Sequence, residues 1–300
     1  MNEVIHLQNG RRIGLMEYGH PDGDPVFFFH GTPGSRIMFL EDDPISEELG
    51  IRLICLDRPG FGLSDPKSDR TILDWAKDVQ EVADHLGISR FSVMGVSGGG
   101  AFAAGCAFQL PDRVLSAALI SSVTPFQDGK PPKSMLKENK LAFFLSKRFP
   151  WLLKASYRAQ KKLIETKPEK FKALTKKGNK HLHPWDRQFL QTDEQLELMM
   201  LHLNEAYRQS VDECIHEPDL LTQPWSFALK DIHIPVDLWH GKEDTMAPFE
   251  EIQKVAPTIP NVKTHYIDHA GHFLTDVDHI WREILLSLKT RAEHMREERA

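Results

Sequence analysis

Cysteine is scarce. Three residues, Cys55, Cys106 and Cys214, form an odd and widely spaced set, from which neither a disulfide framework nor a paired metal-binding spacing follows. A basic surplus is also absent. Lys and Arg number 37 against 43 Asp and Glu, a net charge of −6, which argues against a nucleic-acid binder. Long apolar runs are missing too. The most apolar stretch outside the expected strands, 141–153, is broken by Lys147, Arg148 and Pro150. Nothing approaches the ~20 residues of a membrane-spanning helix. Met1 to Arg12 holds no apolar run, so no signal peptide is expected. No Asn-x-Ser/Thr sequon occurs. What remains is ordinary: 41% hydrophobic and 27% charged residues, a balance that excludes disordered and fibrous classes. A chain of 300 residues can bury a sizeable core unaided. These features lead to the expectation of a cytoplasmic protein that is not integral to a membrane. They leave the oligomeric state open.

Short apolar runs alternate with helical patterns, as in an α/β sheet. Glu3 to Leu7 and Arg12 to Tyr18 flank Asn9-Gly10, a dipeptide that favours positive φ at both turn positions, so a hairpin is expected. Further strands are expected at Val26–Phe29, Arg52–Leu56, Phe91–Val96, Ser116–Ile120, Val236–His240 and Lys263–Ile267. Helices are expected at Leu73–Leu86, Ala101–Leu110 and Val277–Leu288, the last extended by the charged tail. The alternation stops between about Pro125 and Pro235. The simplest account is a helical insertion at 126–230 in a catalytic core made of 1–125 and 231–300. That insertion is polarised. From Lys147 to Lys180 there are 12 Lys and Arg to 2 Asp and Glu, whereas His181 to Asp219 has 2 to 9. The expected result is two helical segments that attract each other, rather than a basic surface for anionic lipid or an acidic substrate. Phe126, Phe143, Phe144, Phe149, Trp151, Leu152, Leu153 and Trp185 are expected in the core of the insertion rather than in a pocket.

The strongest chemical signal is Gly95-Val96-Ser97-Gly98-Gly99, where a strand meets a helix. A serine on such a sharp turn projects its hydroxyl from the sheet edge, and the helix that follows aims free N–H groups at a developing oxyanion. A serine hydroxyl needs a base. His272, in Asp268-His269-Ala270-Gly271-His272-Phe273, follows the last expected strand at the same sheet edge. The small pair before it permits a tight turn, which favours it over His269. The base in turn needs an orienting acid. Asp244, in Gly241-Lys242-Glu243-Asp244, lies in another loop at that edge, with Glu243 as rival; Asp244 could also serve as a helix N-cap, which does not exclude the catalytic role. His30-Gly31-Thr32-Pro33-Gly34 follows the Val26–Phe29 strand. The backbone N–H of Thr32 can supply a second oxyanion donor beside that of Gly98, and His30 is read as a brace for this loop.

These motifs, with Asp57-Arg58-Pro59-Gly60-Phe61-Gly62-Leu63-Ser64, resemble the α/β-hydrolase superfamily over nearly the whole chain. The resemblance is to its capped branch of proline iminopeptidases, esterases, C–C bond hydrolases and haloalkane dehalogenases. It implies an eight-stranded, mostly parallel sheet flanked by helices, with a helical cap after the sixth strand. Dehalogenases and epoxide hydrolases of this fold carry an aspartate at the elbow, where this chain has Ser97. Proline iminopeptidases usually carry a Trp after the nucleophile, where Gly98 stands. The expected function is that of a serine hydrolase. It would cleave a small or medium, partly apolar ester or related acyl substrate through Ser97, His272 and Asp244, without metal or organic cofactor. The alternatives are a hydrolase-like ligand-binding or signalling protein with slow turnover, or an iminopeptidase-like aminopeptidase.

Overall fold

The computed structural model describes residues 2–38, 43–126 and 130–299; residues 127–129 of the expected insertion lie outside them. Eight strands form one sheet in the order β1-β2-β4-β3-β5-β6-β7-β8. They are β1 (Asn2–His6), β2 (Arg12–Gly19), β3 (Asp24–Phe29), β4 (Ile51–Leu56), β5 (Phe91–Val96), β6 (Val114–Ile120), β7 (Val236–Gly241) and β8 (Val262–Ile267). Only the pairings that involve β2 are antiparallel; β4, β3, β5, β6, β7 and β8 run parallel. The β1–β2 turn differs from the expected one. Gly10 alone takes positive φ, at 83°, and Asn9 instead uses its side chain, which accepts from Arg11 N–H at 3.0 Å. This local bond makes a left-handed Asn unnecessary.

The central strands are apolar because helices cover both faces of a parallel sheet. In β3, Phe27 and Phe29 pack on one side with Trp75 of α2 (Ile72–His85) and Phe102 of α3 (Gly98–Gln109). Val26 and Phe28 pack on the other side with Trp281, Ile284 and Leu288 of α11 (Asp278–Glu298), joined there by Ile45 of α1 (Pro44–Glu48). Side chains that alternate across the strand thus feed two cores. Helix α10 (Phe249–Val255) follows β7.

Between β6 and β7 the described chain is helical: α4 (Lys137–Arg148), α5 (Pro150–Thr166), α6 (Pro168–Gly178), α7 (Pro184–Gln188), α8 (Asp193–Ala206) and α9 (Glu213–Thr222). Leu153, Tyr207, Cys214 and Ile215 form a small core of their own with Phe61. The two charge blocks do attract. Lys172 meets Glu197 at 2.8 Å, Lys176 pairs with Asp193 and Lys154 with Asp212. The aromatic expectation holds only in part. Phe126 is buried against Phe143, ring centroids 4.9 Å apart, and Leu153 is buried. Phe144, Phe149, Trp151 and Leu152 are exposed, because α4 and α5 turn their buried side toward α9 and leave this one without a neighbouring element. Trp185 is half-buried, and its indole N–H donates to Phe273 O at 3.1 Å.

Candidate active site

Strand order reverses at β3 and β5, which lie side by side although β4 intervenes in sequence. Ligands of open α/β sheets bind outside the carboxyl ends of strands at such a point. There β5 gives way to Ser97, at φ 56° and ψ −120°, immediately before α3. A non-glycine residue in such a conformation costs about 1–3 kcal/mol, and the surroundings must hold it. Ser97 N–H donates to Ile120 O at 2.9 Å, and Ser97 O accepts from Gly100 N–H and Val123 N–H, each at 3.2 Å. A Cβ at Gly95 would collide with the Gly99 backbone, and one at Gly99 with Phe29 O. The glycine spacing is therefore a requirement of close backbone approach. The N–H groups of Gly98 and Gly99, the first two of α3, have no intrahelical acceptor and lie at the positive end of the helix dipole.

The loop after β3 lies against this turn: a Cβ on Gly31 would sit 3.5 Å from Ser97 Cβ, and one on Gly98 would sit 2.5 Å from Thr32 Oγ1. His30 is buried. Its Nδ1–H donates to Gly31 O at 2.7 Å, and its Nε2 accepts from Arg58 N–H at 3.2 Å. Burial, and then the neighbouring Arg58 charge, push its pKa well below the usual histidine value, so the ring is a neutral brace. Arg58 is fully buried, with two N–H groups on Glu217 at 2.8 and 2.7 Å and one on Gly31 O at 3.0 Å. Glu217 also accepts from Arg70 at 2.9 Å and from the Thr32 hydroxyl. Burial alone would raise the Glu217 pKa, but Arg58 and Arg70 outweigh it and hold the carboxyl well below the ordinary range. The helical insertion thus grips the Thr32 loop through an ion cluster that the sequence reading did not include.

Across the site, His272 Nδ1 and Asp244 Oδ2 are 2.8 Å apart. Asp244 is not the N-cap of α10, which is Pro248. Instead its Oδ1 accepts from Met246 N–H at 2.8 Å and Ala247 N–H at 2.9 Å, closing the turn that aims Oδ2 at the ring. His240 Nε2 stands 3.3 Å from the same Oδ2. Burial would raise the Asp244 pKa, but His272 and His240 hold it well below the usual range. Burial lowers the His272 pKa, but the Asp244 charge and hydrogen bond prevail, aided by Asp186 and Asp276, and the net shift is upward. The rivals separate cleanly: Glu243 and His269 are both exposed.

The His272 backbone is fixed on both sides. Its N–H donates to Asp186 Oδ1 at 2.6 Å, and its carbonyl accepts from the Ser121 hydroxyl at 2.7 Å. Ser121 directly follows β6, whose last residue, Ile120, holds Ser97 N–H. The structure brings Asp244 to His272 and the Thr32 loop to Ser97. Among the described residues no hydrogen bond joins Ser97 Oγ to the His272 ring, a bond that often tightens only with substrate bound. A cleft of about 430 Å³, lined by Leu136, His181, His183 and Thr245 among others, opens one residue beyond Asp244; neither Ser97 nor His272 lines it.

This sheet, with its sharp serine turn and its Asp–His pair at one edge, defines a class. Residues 24–278 match the family model described as the alpha/beta hydrolase fold, and the chain belongs to that family. Among curated relatives, a haloalkane dehalogenase of Psychrobacter cryohalolentis is 30% identical over 120 residues, 39% of this chain and 40% of that protein. A proline iminopeptidase of Neisseria gonorrhoeae is 33% identical over 123 residues, 38% of each chain. The matched segments therefore span well under half of these relatives. Among solved structures, a putative aryl esterase from Burkholderia cenocepacia superposes with a TM-score of 0.71 at 18% identity, covering 98% of this chain and 100% of the other. An esterase from Exiguobacterium antarcticum gives 0.64 at 22%, covering 96% and 98%. Both are similar in fold. No helix among the described residues is long and apolar enough to cross a membrane.

Proposed function

We propose that this protein is a serine hydrolase that cleaves small or medium, partly apolar carboxylic esters through an acyl-enzyme. The observation that carries the reading is the buried Asp244–His272 pair, at 2.8 Å, on the same sheet edge as a left-handed serine at the strand reversal. In this reading His272 takes the Ser97 proton at Nε2 as Oγ attacks the carbonyl, and Asp244 holds the ring and stabilises its cationic form. The N–H groups of Thr32 and Gly98 receive the oxyanion. His272 returns the proton to the departing alcohol. Water then attacks the acyl group, losing its proton to His272, and Ser97 leaves with that proton. Leu221, which a Cβ at Gly98 would approach to 2.8 Å, supports an apolar acyl side. Residues 126–230 act as a lid on a core of 1–125 and 231–300.

The Ser97 side chain argues against dehalogenation by a carboxylate ester intermediate, since an alkylated serine would be a stable ether. Replacing Ser97 by Ala is expected to lower turnover of p-nitrophenyl acyl esters by about 10³-fold or more and to abolish labelling by a fluorophosphonate. Full labelling of the Ser97→Ala variant would remove Ser97 from the mechanism. The similarity to an iminopeptidase keeps one further reading, cleavage of an N-terminal proline amide. Proline p-nitroanilide turned over faster than any acyl ester would favour it.

A further inference from the structure

The insertion leaves one apolar, basic face uncovered. At the α4–α5 corner, six consecutive residues, Lys147 to Leu152, are exposed. Trp151 is 69% exposed and Phe144 57%, and Leu141, Phe149 and Leu152 join them. Leu141 and Phe144 are one helical turn apart on the same side of α4. The Phe144 and Phe149 rings meet at 6.0 Å. These exposed side chains gather at one corner of two consecutive helices, and exposed patches of large apolar residues mark interaction sites.

Charge says what covers it. Lys147 and Arg148 lie in the chain between Phe144 and Phe149. Along α5, Trp151, Ala155, Arg158 and Lys162 recur at helical spacing, all of them exposed or half-exposed. Arg148, Arg158 and Lys162 have no ion pair among the described residues. The rest of the molecule has the opposite sign: outside 131–223 the chain has 31 Asp and Glu against 20 Lys and Arg. A negatively charged surface therefore repels the body and attracts this corner, which selects one orientation. The core of a protein–protein interface is depleted in lysine and acidic groups, whereas here cations are interleaved with aromatic rings. A bilayer accommodates that mixture, because rings settle at the acyl boundary while long cationic stems reach phosphate.

We propose that the α4–α5 corner docks the protein onto anionic lipid bilayers. Phe144, Phe149, Trp151 and Leu152 enter the headgroup region, and Arg148, Arg158 and Lys162 lie over lipid phosphates, while Lys147 stays within 3.6 Å of Asp219. Apolar insertion and basic attraction are each weak alone and act together. Docking of this face is independent of the role of Ser97.

Flotation of the full chain with phosphatidylcholine vesicles, with and without phosphatidylserine, tests it. Binding is expected only with phosphatidylserine and is expected to fall as salt rises. Trp151→Glu, and separately the pair Arg148→Glu and Arg158→Glu, should each weaken it about tenfold or more, with Tm unchanged because these side chains are exposed. No binding to phosphatidylserine vesicles, or binding that these variants leave intact, overturns the proposal. So does a dimer in light scattering that Trp151→Glu converts to monomer without any vesicle binding, which would assign the face to a second copy.

Discussion

In the proposed mechanism His272 is the base, and its proton affinity is set against its burial. Desolvation favours the neutral ring, but the Asp244 charge and hydrogen bond, then Asp186 and Asp276, win and raise its pKa above 6.5. Only the neutral ring can take the Ser97 proton, so activity is expected to fall with acid through a pKa above the ordinary histidine value. Asp244→Asn removes the largest raising influence. It should lower kcat by about 10³–10⁴-fold and move the acid limb of the kcat/KM profile to lower pH. An acid limb that stays in place in this variant would show that another group titrates. The same pair is linked to stability. The raised His272 pKa contributes fully below the unfolded value near 6.5 and is lost as pH rises through the folded one. The depressed Asp244 pKa contributes above about 3.8 and is lost as pH falls through its folded value. The stability difference between the wild type and Asp244→Asn, from denaturant melts, should therefore be largest between about pH 4 and pH 6.5.

Helix α9 acts on the site without contributing any of the proposed chemical groups. Its Glu217 is fully buried between Arg58 and Arg70, and Arg58 in turn holds the carbonyls of His30 and Gly31. Removing one partner of a buried ion cluster strands the others. Glu217→Gln is expected to cost about 3–5 kcal/mol, seen as a lower denaturation midpoint. It should also reduce kcat/KM at temperatures where the protein stays folded, because the loop bearing the Thr32 N–H loosens. A stability loss with kcat/KM unchanged would separate α9 from the site. This coupling was not legible in the sequence, because Glu217 and Arg58 are 159 residues apart and nothing local distinguishes this glutamate from the other acids around it. The central strands β3 to β7 were legible because each is largely a short apolar run bounded by turn residues. The elbow was legible because strand, serine and paired glycines are contiguous. The α4–α5 corner was misread for the converse reason. Helical spacing says which residues share a face, but not whether another element covers it, and Phe144, Phe149, Trp151 and Leu152 are uncovered.

Across the whole molecule, the helical segment between β6 and β7 reaches the loops that carry the proposed site. Carboxylates of the insertion reach into loops at the carboxyl edge of the sheet, among them Glu217 and Glu205 toward the β3 loop and Asp186 toward the β8 loop. Asp186 Oδ1 accepts from the N–H groups of His272 and Phe273, at 2.6 and 3.1 Å, while its buried Oδ2 has no partner among the described residues. Gly271 is glycine partly because a Cβ there would press on this carboxylate. Asp186 therefore does two separable things. As an acceptor it fixes the backbone of the base, and as a charge it adds to the raised His272 pKa. Asp186→Asn keeps an oxygen in place and removes the charge. It should leave kcat within a few-fold at a pH well above the acid limb, and move that limb to lower pH. Asp186→Ala removes both. With the buried His272 N–H and the half-buried Phe273 N–H left unpaired it should cost about 1–3 kcal/mol for the buried group and depress kcat far more than KM, since the proton acceptor, not the substrate contacts, is displaced. If Asn and Ala lower kcat equally and neither shifts the pH profile, Asp186 only packs the insertion onto the core.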